Sequence, residues 1–113
     1  MSTEEFEKFW HELTTWVSNN KESIRNWTVF HQKTGEDFEA KYEGGNYILA
    51  YPEPPAKTQK IPKTDFKLIF ENWEGYVSGR IGRSEFVHGP IAYSRFTKYA
   101  ISIIHQYTLK KHA

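Results

Sequence analysis

Ten of the fifteen lysines and arginines fall in residues 54–113, where only four carboxylates, Asp65, Glu71, Glu74 and Glu85, accompany them. These cations gather in two stretches. Lys57, Lys60, Lys63 and Lys67 lie in or just after a proline-rich segment, with Asp65 the one acid among them. Arg80, Arg83, His88, Arg95 and Lys98 lie in and after a second irregular stretch, with Glu85 the one acid. Both stretches precede expected helices, whose first backbone N–H groups lack intrahelical partners and suit an anion. Arginine adds a planar donor fork that matches phosphate. Tyr76, Phe86, Tyr93 and Tyr99 are interleaved with the cations, as base stacking or cation–π contact requires. The segment HGPIAYSRFTKYAISIIH (88–105) sharpens the point. Arg95 and Lys98 fall in what should be the first turn of the last helix, where the backbone dipole favours negative charge by roughly 0.3–1 kcal/mol per group.

Other residue types point elsewhere. In DFEAKYE (37–43), Glu39-Ala40-Lys41 has the Glu-x-Lys form of metal-dependent nucleases, in which carboxylates hold a metal and the lysine helps position the attacking water. Asp37 stands beside it, but the preceding strand offers no partner acid; Glu22 lies just before that strand. Strict alternation explains Asp37, Glu39 and Lys41 equally well as the polar face of a half-buried strand. His11, His31, His88, His105 and His112 have no metal-ligand spacing, and there is no cysteine to complete a tetrahedral site. His88, ahead of Gly89-Pro90 in a basic loop, suits a phosphate contact, whereas His105 reads as a partly buried residue near a helix end. Ser84 and Ser94 read as helix caps. The glycines spell no phosphate-binding loop. Trp10 and Trp73 fall on apolar stripes, while Trp16 and Trp27 are the candidates for partial exposure and for an aromatic cage.

Composition narrows the class. A chain of 113 residues with 17% aromatics makes one domain, 1–113, with a core rich in rings. No run approaches the roughly 18 apolar residues of a membrane span. Absence of cysteine excludes disulfides and fits the cytoplasm. Charge is divided unevenly: residues 1–53 hold ten acids against five bases, and residues 54–113 hold four against ten. The balances of −5 and +6 fit either a polyanionic partner or attraction between the two halves of one fold.

Periodicity supplies the elements that must position these groups. Residues 2–19 follow a helical stripe through Phe6, Phe9, Trp10, Leu13, Trp16 and Val17. IRNWTVFH (24–31), DFEAKYE (37–43) and NYILAYP (46–52) read as three strands of an antiparallel meander, the last covered on both faces. EGGN between the second and third marks a tight hairpin. PEPPAKTQKIP (52–62) holds four of the five prolines and reads as an extended crossing loop. A helix near Thr64 buries Phe66, Ile69, Phe70 and Trp73 and stops near Gly75. Residues 78–89 are irregular, with one short helical turn at 83–86. A last helix over 94–110 turns Phe96, Tyr99, Ala100, Ile103, Ile104 and Tyr107 inward. The fold class is α+β in the order α-β-β-β-α-α. Its first five elements share their order with the double-stranded-RNA-binding domain. That family's lysine-dense helix start is not matched, because Lys60, Lys63 and Lys67 are spread around Pro62, and membership is not assigned.

The expectation is a small non-enzymatic domain that binds nucleic acid, DNA or RNA, through Lys60, Lys63, Arg80, Arg83, His88, Tyr93, Arg95 and Lys98. No cofactor, metal or membrane is expected. The alternatives are a protein-interaction module or small regulatory subunit, which would use its acidic half or an aromatic patch, and a metal-dependent nuclease around Asp37, Glu39 and Lys41.

Overall fold

Helix α1 (Thr3–Asn19) buries the stripe that its period assigns to it: Phe6, Trp10, Leu13 and Val17 are in the core, with Phe9 and Trp16 packed half-buried beside them. Thr14 is buried among these rings, and its hydroxyl donates to the Trp10 carbonyl at 2.9 Å, which satisfies it inside the helix. The computed structural model describes residues 3–20, 22–28, 32–33, 37–52, 57–80 and 97–111.

Two short strands, β1 (Trp27–Thr28) and β2 (Gln32–Lys33), pair antiparallel as a separate ribbon. The main sheet has three antiparallel strands, β3 (Glu39–Lys41), β4 (Tyr47–Tyr51) and β5 (Gln59–Pro62), with β4 in the centre. A three-stranded antiparallel sheet is therefore present, but its membership differs from the expected meander. Among the described residues, the 24–31 segment joins this sheet through the bridge between Ile24 and Phe38 and not as a paired strand. The third strand comes from the end of the proline-rich segment.

The reason lies in where the prolines stand. Residues 57–61 contain none, so their N–H groups are free to pair, and Pro62 occupies the end of an edge strand where a missing donor costs little. Ile61 sits opposite Ile48, and both are fully buried. The Lys63 N–H then donates to the Asn46 carbonyl at 2.7 Å and ends the pairing. At the β3–β4 hairpin, Gly44 and Gly45 take φ of 95° and 84°, the left-handed region that the sequence EGGN was expected to supply.

Helix α2 (Lys63–Glu71) follows β5 without a linker and buries Phe66 and Ile69. It breaks at Asn72, whose side chain donates back to the Leu68 carbonyl at 2.9 Å, and α3 (Trp73–Val77) continues from there. Gly79, at φ 84°, closes α3: the Arg80 N–H reaches the Gly75 carbonyl and the Gly79 N–H the Tyr76 carbonyl, the paired bonds of a Schellman end.

Helix α4 (Thr97–Lys111) is enclosed more completely than its stripe suggests. Ala100, Ile103, Ile104 and Tyr107 are buried as expected, and so are Ile101, Ser102 and Gln106. Phe96 lies outside the described residues. Two polar side chains inside this helix serve the backbone of a neighbouring segment. Ser102 Oγ accepts from the Trp27 N–H at 2.9 Å and donates to its carbonyl at 3.2 Å. Gln106 accepts from the Arg25 N–H at 2.7 Å and donates to the Ser23 carbonyl at 2.9 Å. The radius of gyration, 13.2 Å, is that of one compact unit of this length. Among the described residues no helix is long and apolar enough to cross a membrane.

Candidate nucleic-acid interface

The two charged halves of the chain meet directly. The described ion pairs are Lys63–Glu7 at 2.9 Å, Lys110–Glu22 at 2.9 Å and Lys111–Glu12 at 3.5 Å, and each joins a base of residues 54–113 to an acid of residues 1–53. All lie at the surface, where such pairs contribute about 0–1 kcal/mol each. Part of the charge asymmetry is thus neutralised within the fold. Lys63 is the informative case, because it occupies the first turn of α2, where a cation opposes the helix dipole. Glu7 answers it, and its ammonium also lies 5.7 Å from the Trp10 ring centroid.

Lys60 stands apart from Lys63. Exposed on β5 beside the central strand, it makes no described ion pair, and its ammonium sits 4.1 Å over the Tyr47 ring. Lys57 is also exposed, just ahead of the same strand. Arg80 is exposed after α3, with its Nε donating to Ser78 Oγ at 3.0 Å. Arg83, His88, Tyr93 and Arg95 lie outside the described residues, as do Ser84 and Ser94; Lys98 belongs to α4 by its backbone.

Strand alternation builds a second group around Lys60. On β4, Ile48 and Ala50 face the core, whereas Tyr47, Leu49 and Tyr51 line the opposite face and are half-buried. The sequence expectation of a strand covered on both faces is corrected here: the Ile48–Ala50 face is fully buried and the Tyr47–Leu49–Tyr51 face is only half-buried. Register sets Leu49 between Lys41 on β3 and Lys60 on β5, Tyr51 opposite Glu39, and Tyr47 opposite Pro62. The Lys41 ammonium lies 5.2 Å over the Tyr51 ring. Each edge lysine thus caps a tyrosine of the central strand. Tyr47, Tyr51 and Lys41 are not in the expected nucleic-acid site, although period-two alternation in NYILAYP and DFEAKYE carries the signal.

The expected nuclease residues fall at the edge of β3. Glu39 and Lys41 share with Glu22 and Glu43 a surface cleft of about 400 Å³. Among the described residues no three His, Asp or Glu side chains gather closely enough to hold a metal. Trp27, expected to be partly exposed, is buried. Its ring stacks on His105 at 3.7 Å and 2° and neighbours Trp73 and Tyr76 at 6.4 Å each, so Trp27 belongs to packed core and not to an open cage.

Burial, reinforced by the nearby Arg25 guanidinium, holds the His105 imidazole below its ordinary pKa of about 6.5. The unfolded chain therefore binds this proton more readily than the native one, and stability rises with pH across that interval. His105 contributes fully above about pH 6.5, and its contribution is lost as pH falls towards the folded pKa. Urea midpoints of wild type and His105→Phe, compared at pH 7.5 and 5.5, should show a larger acid loss in the wild type. Equal losses would show that His105 takes no part.

A further depression lies between α1, α2–α3 and α4. Phe9, Phe70, Trp73 and Tyr107 line an apolar groove of about 280 Å³ edged by Glu71, Glu74 and Lys111. Tyr107 donates from its hydroxyl to Glu12 at 3.0 Å; burial, and then that carboxylate, push its pKa up to about 12. No protein-family model, curated protein or solved structure matches the chain.

Proposed function

We propose that this domain binds nucleic acid without transforming it. The observation that supports the reading is the pair of lysines, Lys41 and Lys60, that flank an aromatic central strand and make no described ion pair. Ammonium groups left over after the internal ion pairs form are the ones available to phosphates. Lys57 extends the β5 side, and Arg80, Arg83, His88, Tyr93, Arg95 and Lys98 are the further contacts the sequence offers, whereas Lys63 is engaged by Glu7. Fluorescence polarisation with labelled DNA and RNA oligonucleotides at low and moderate salt tests the reading. Binding should weaken steeply with salt. The double variant Lys41→Ala/Lys60→Ala should flatten the dependence of log K on log salt by about 0.7–0.9 per lysine. No binding to any oligonucleotide at low salt would remove the proposal.

The apolar groove beside α4 favours a second reading, a protein-interaction module. Its rings and acidic rim suit an apolar partner side chain flanked by basic ones. Weakening of a captured partner by Phe70→Ala, with oligonucleotide binding absent, would support it.

A further inference from the structure

We infer that the ligand of the sheet face is single-stranded nucleic acid, its bases stacked on Tyr47 and Tyr51 and its phosphates drawn to the β5 side. The inference rests on the nucleic-acid reading and deepens it. β4 is the central strand, so its backbone groups are paired on both sides with β3 and β5. What this face offers a ligand is therefore side chains alone: two phenol rings, Leu49 between them, two ammonium groups, and at the β3 edge the Glu39 carboxylate opposite Tyr51. Tyr47 and Tyr51 are four residues apart on one strand, about 13–14 Å, with Leu49 midway, so the apolar surface is a narrow track along the strand.

Rings of this kind recognise a base by its face. In a duplex those faces are buried in the stack, and side chains reach only edges, sugars and phosphates. A single strand can turn its bases outward onto aromatic side chains, and any base will serve because every base has a π-face. Lys60 and Lys41 now occupy the rings at 4.1 and 5.2 Å. A flexible ammonium can leave a ring for a neighbouring phosphate as a base takes its place, so the cation–π pairs hold the rings available.

Charge adds a direction. Along β3 the exposed Glu39 and Glu43 accompany Lys41, whereas the β5 side presents Lys57 and Lys60 with no acid between them from residue 57 to residue 62. A duplex laid on this face would bring a second phosphate backbone against the β3 carboxylates. A single strand needs only one backbone, and the β5 side accommodates it.

The test uses the full chain and three labelled probes at one low salt concentration: a 12-nucleotide RNA, the DNA of the same sequence, and the 12-base-pair DNA duplex. One or both single strands should bind at least about tenfold more tightly than the duplex. Tyr47→Leu and Tyr51→Leu should each weaken single-strand binding by about five- to 150-fold and leave duplex binding unchanged. Tyr47→Phe should restore it, which separates loss of the ring from loss of folding, and thermal melts of all variants verify the fold. Equal affinity for duplex and single strand, or full binding by both leucine variants while Lys41→Ala/Lys60→Ala binds weakly, would overturn the stacking inference and leave the nucleic-acid reading standing. No binding by any probe would overturn both.

Discussion

Replacing Ser102 by alanine together with Gln106 by leucine is expected to lower the unfolding free energy by about 2–4 kcal/mol, a fall of about 10–20 °C in the thermal midpoint. The two side chains are one turn apart on α4, about 6 Å along the helix axis. Their backbone partners, Arg25 and Trp27, are two residues apart on an extended segment, about 6.6–6.8 Å. The helix thus presents hydrogen-bonding groups at nearly the repeat of a strand, and it holds the edge of segment 23–27 where β1 has no strand of the main sheet beside it. Removal of Ser102 Oγ leaves the Trp27 N–H without its acceptor in a buried setting, so this half should cost more. Ser23 and Arg25 are exposed, and water can replace part of what Gln106 provides. Because one segment depends on both clamps, the double variant should cost less than the sum of the singles. Urea unfolding of the four proteins of this cycle measures each value. A double variant within about 0.5 kcal/mol of wild type would show that other contacts hold the segment.

That clamp also marks where sequence reading stops. A period of 3.6 identifies the inward face of α1 because its inward residues are apolar, and Phe6, Trp10, Leu13 and Val17 are buried accordingly. On α4 the same reasoning finds Ala100, Ile103, Ile104 and Tyr107 but passes over Ser102 and Gln106. Their burial depends on an extended segment some eighty residues away, which no local pattern announces. β5 was missed for a different reason. Four prolines within eleven residues read as a barrier to pairing, although they bracket a proline-free run, 57–61, of which Gln59, Lys60 and Ile61 pair with β4. Once β5 is in place, Lys60 falls on the outer face and Lys63, three residues later, turns to α1. Two lysines that looked like neighbours in one footprint serve different ends.

Cations at a helix start, as expected at Arg95 and Lys98, have a partial precedent in Lys63. There the fold itself supplies the countercharge, Glu7, and no ligand is needed. Arg95 lies outside the described residues, so its case rests on the binding experiments. The comparison sets the standard those experiments apply: a cation answered by an internal acid is structural, and one left unanswered is available to phosphate. By that standard Lys60 and Lys41 outrank Lys63, Lys110 and Lys111.

Phe66→Ala should be the most damaging single truncation of the core beside this face, at about 3–5 kcal/mol, with Phe66→Leu recovering most of the loss. The ring is fully buried, lies 5.5 Å from that of Trp10 and sits in the first turns of α2. α2 begins at the residue after β5 ends, so the ring that anchors the helix also anchors the strand. A cavity at this point leaves β5 held mainly by its ladder to β4, and amide exchange should accelerate at Ile61 and Gln59, whose N–H groups face β4, before it does in the middle of α4. Chemical denaturation gives the energy and hydrogen exchange gives the order of loss. A cost below about 1 kcal/mol, or exchange that quickens uniformly, would show that the strand is not tethered through Phe66. The converse substitution, Lys60→Ala, removes an exposed ammonium and should leave the midpoint nearly unchanged while weakening oligonucleotide binding. Packing and recognition on β5 are then separable by two substitutions six residues apart, because alternation and the strand-to-helix join send Lys60 outward and Phe66 into the core.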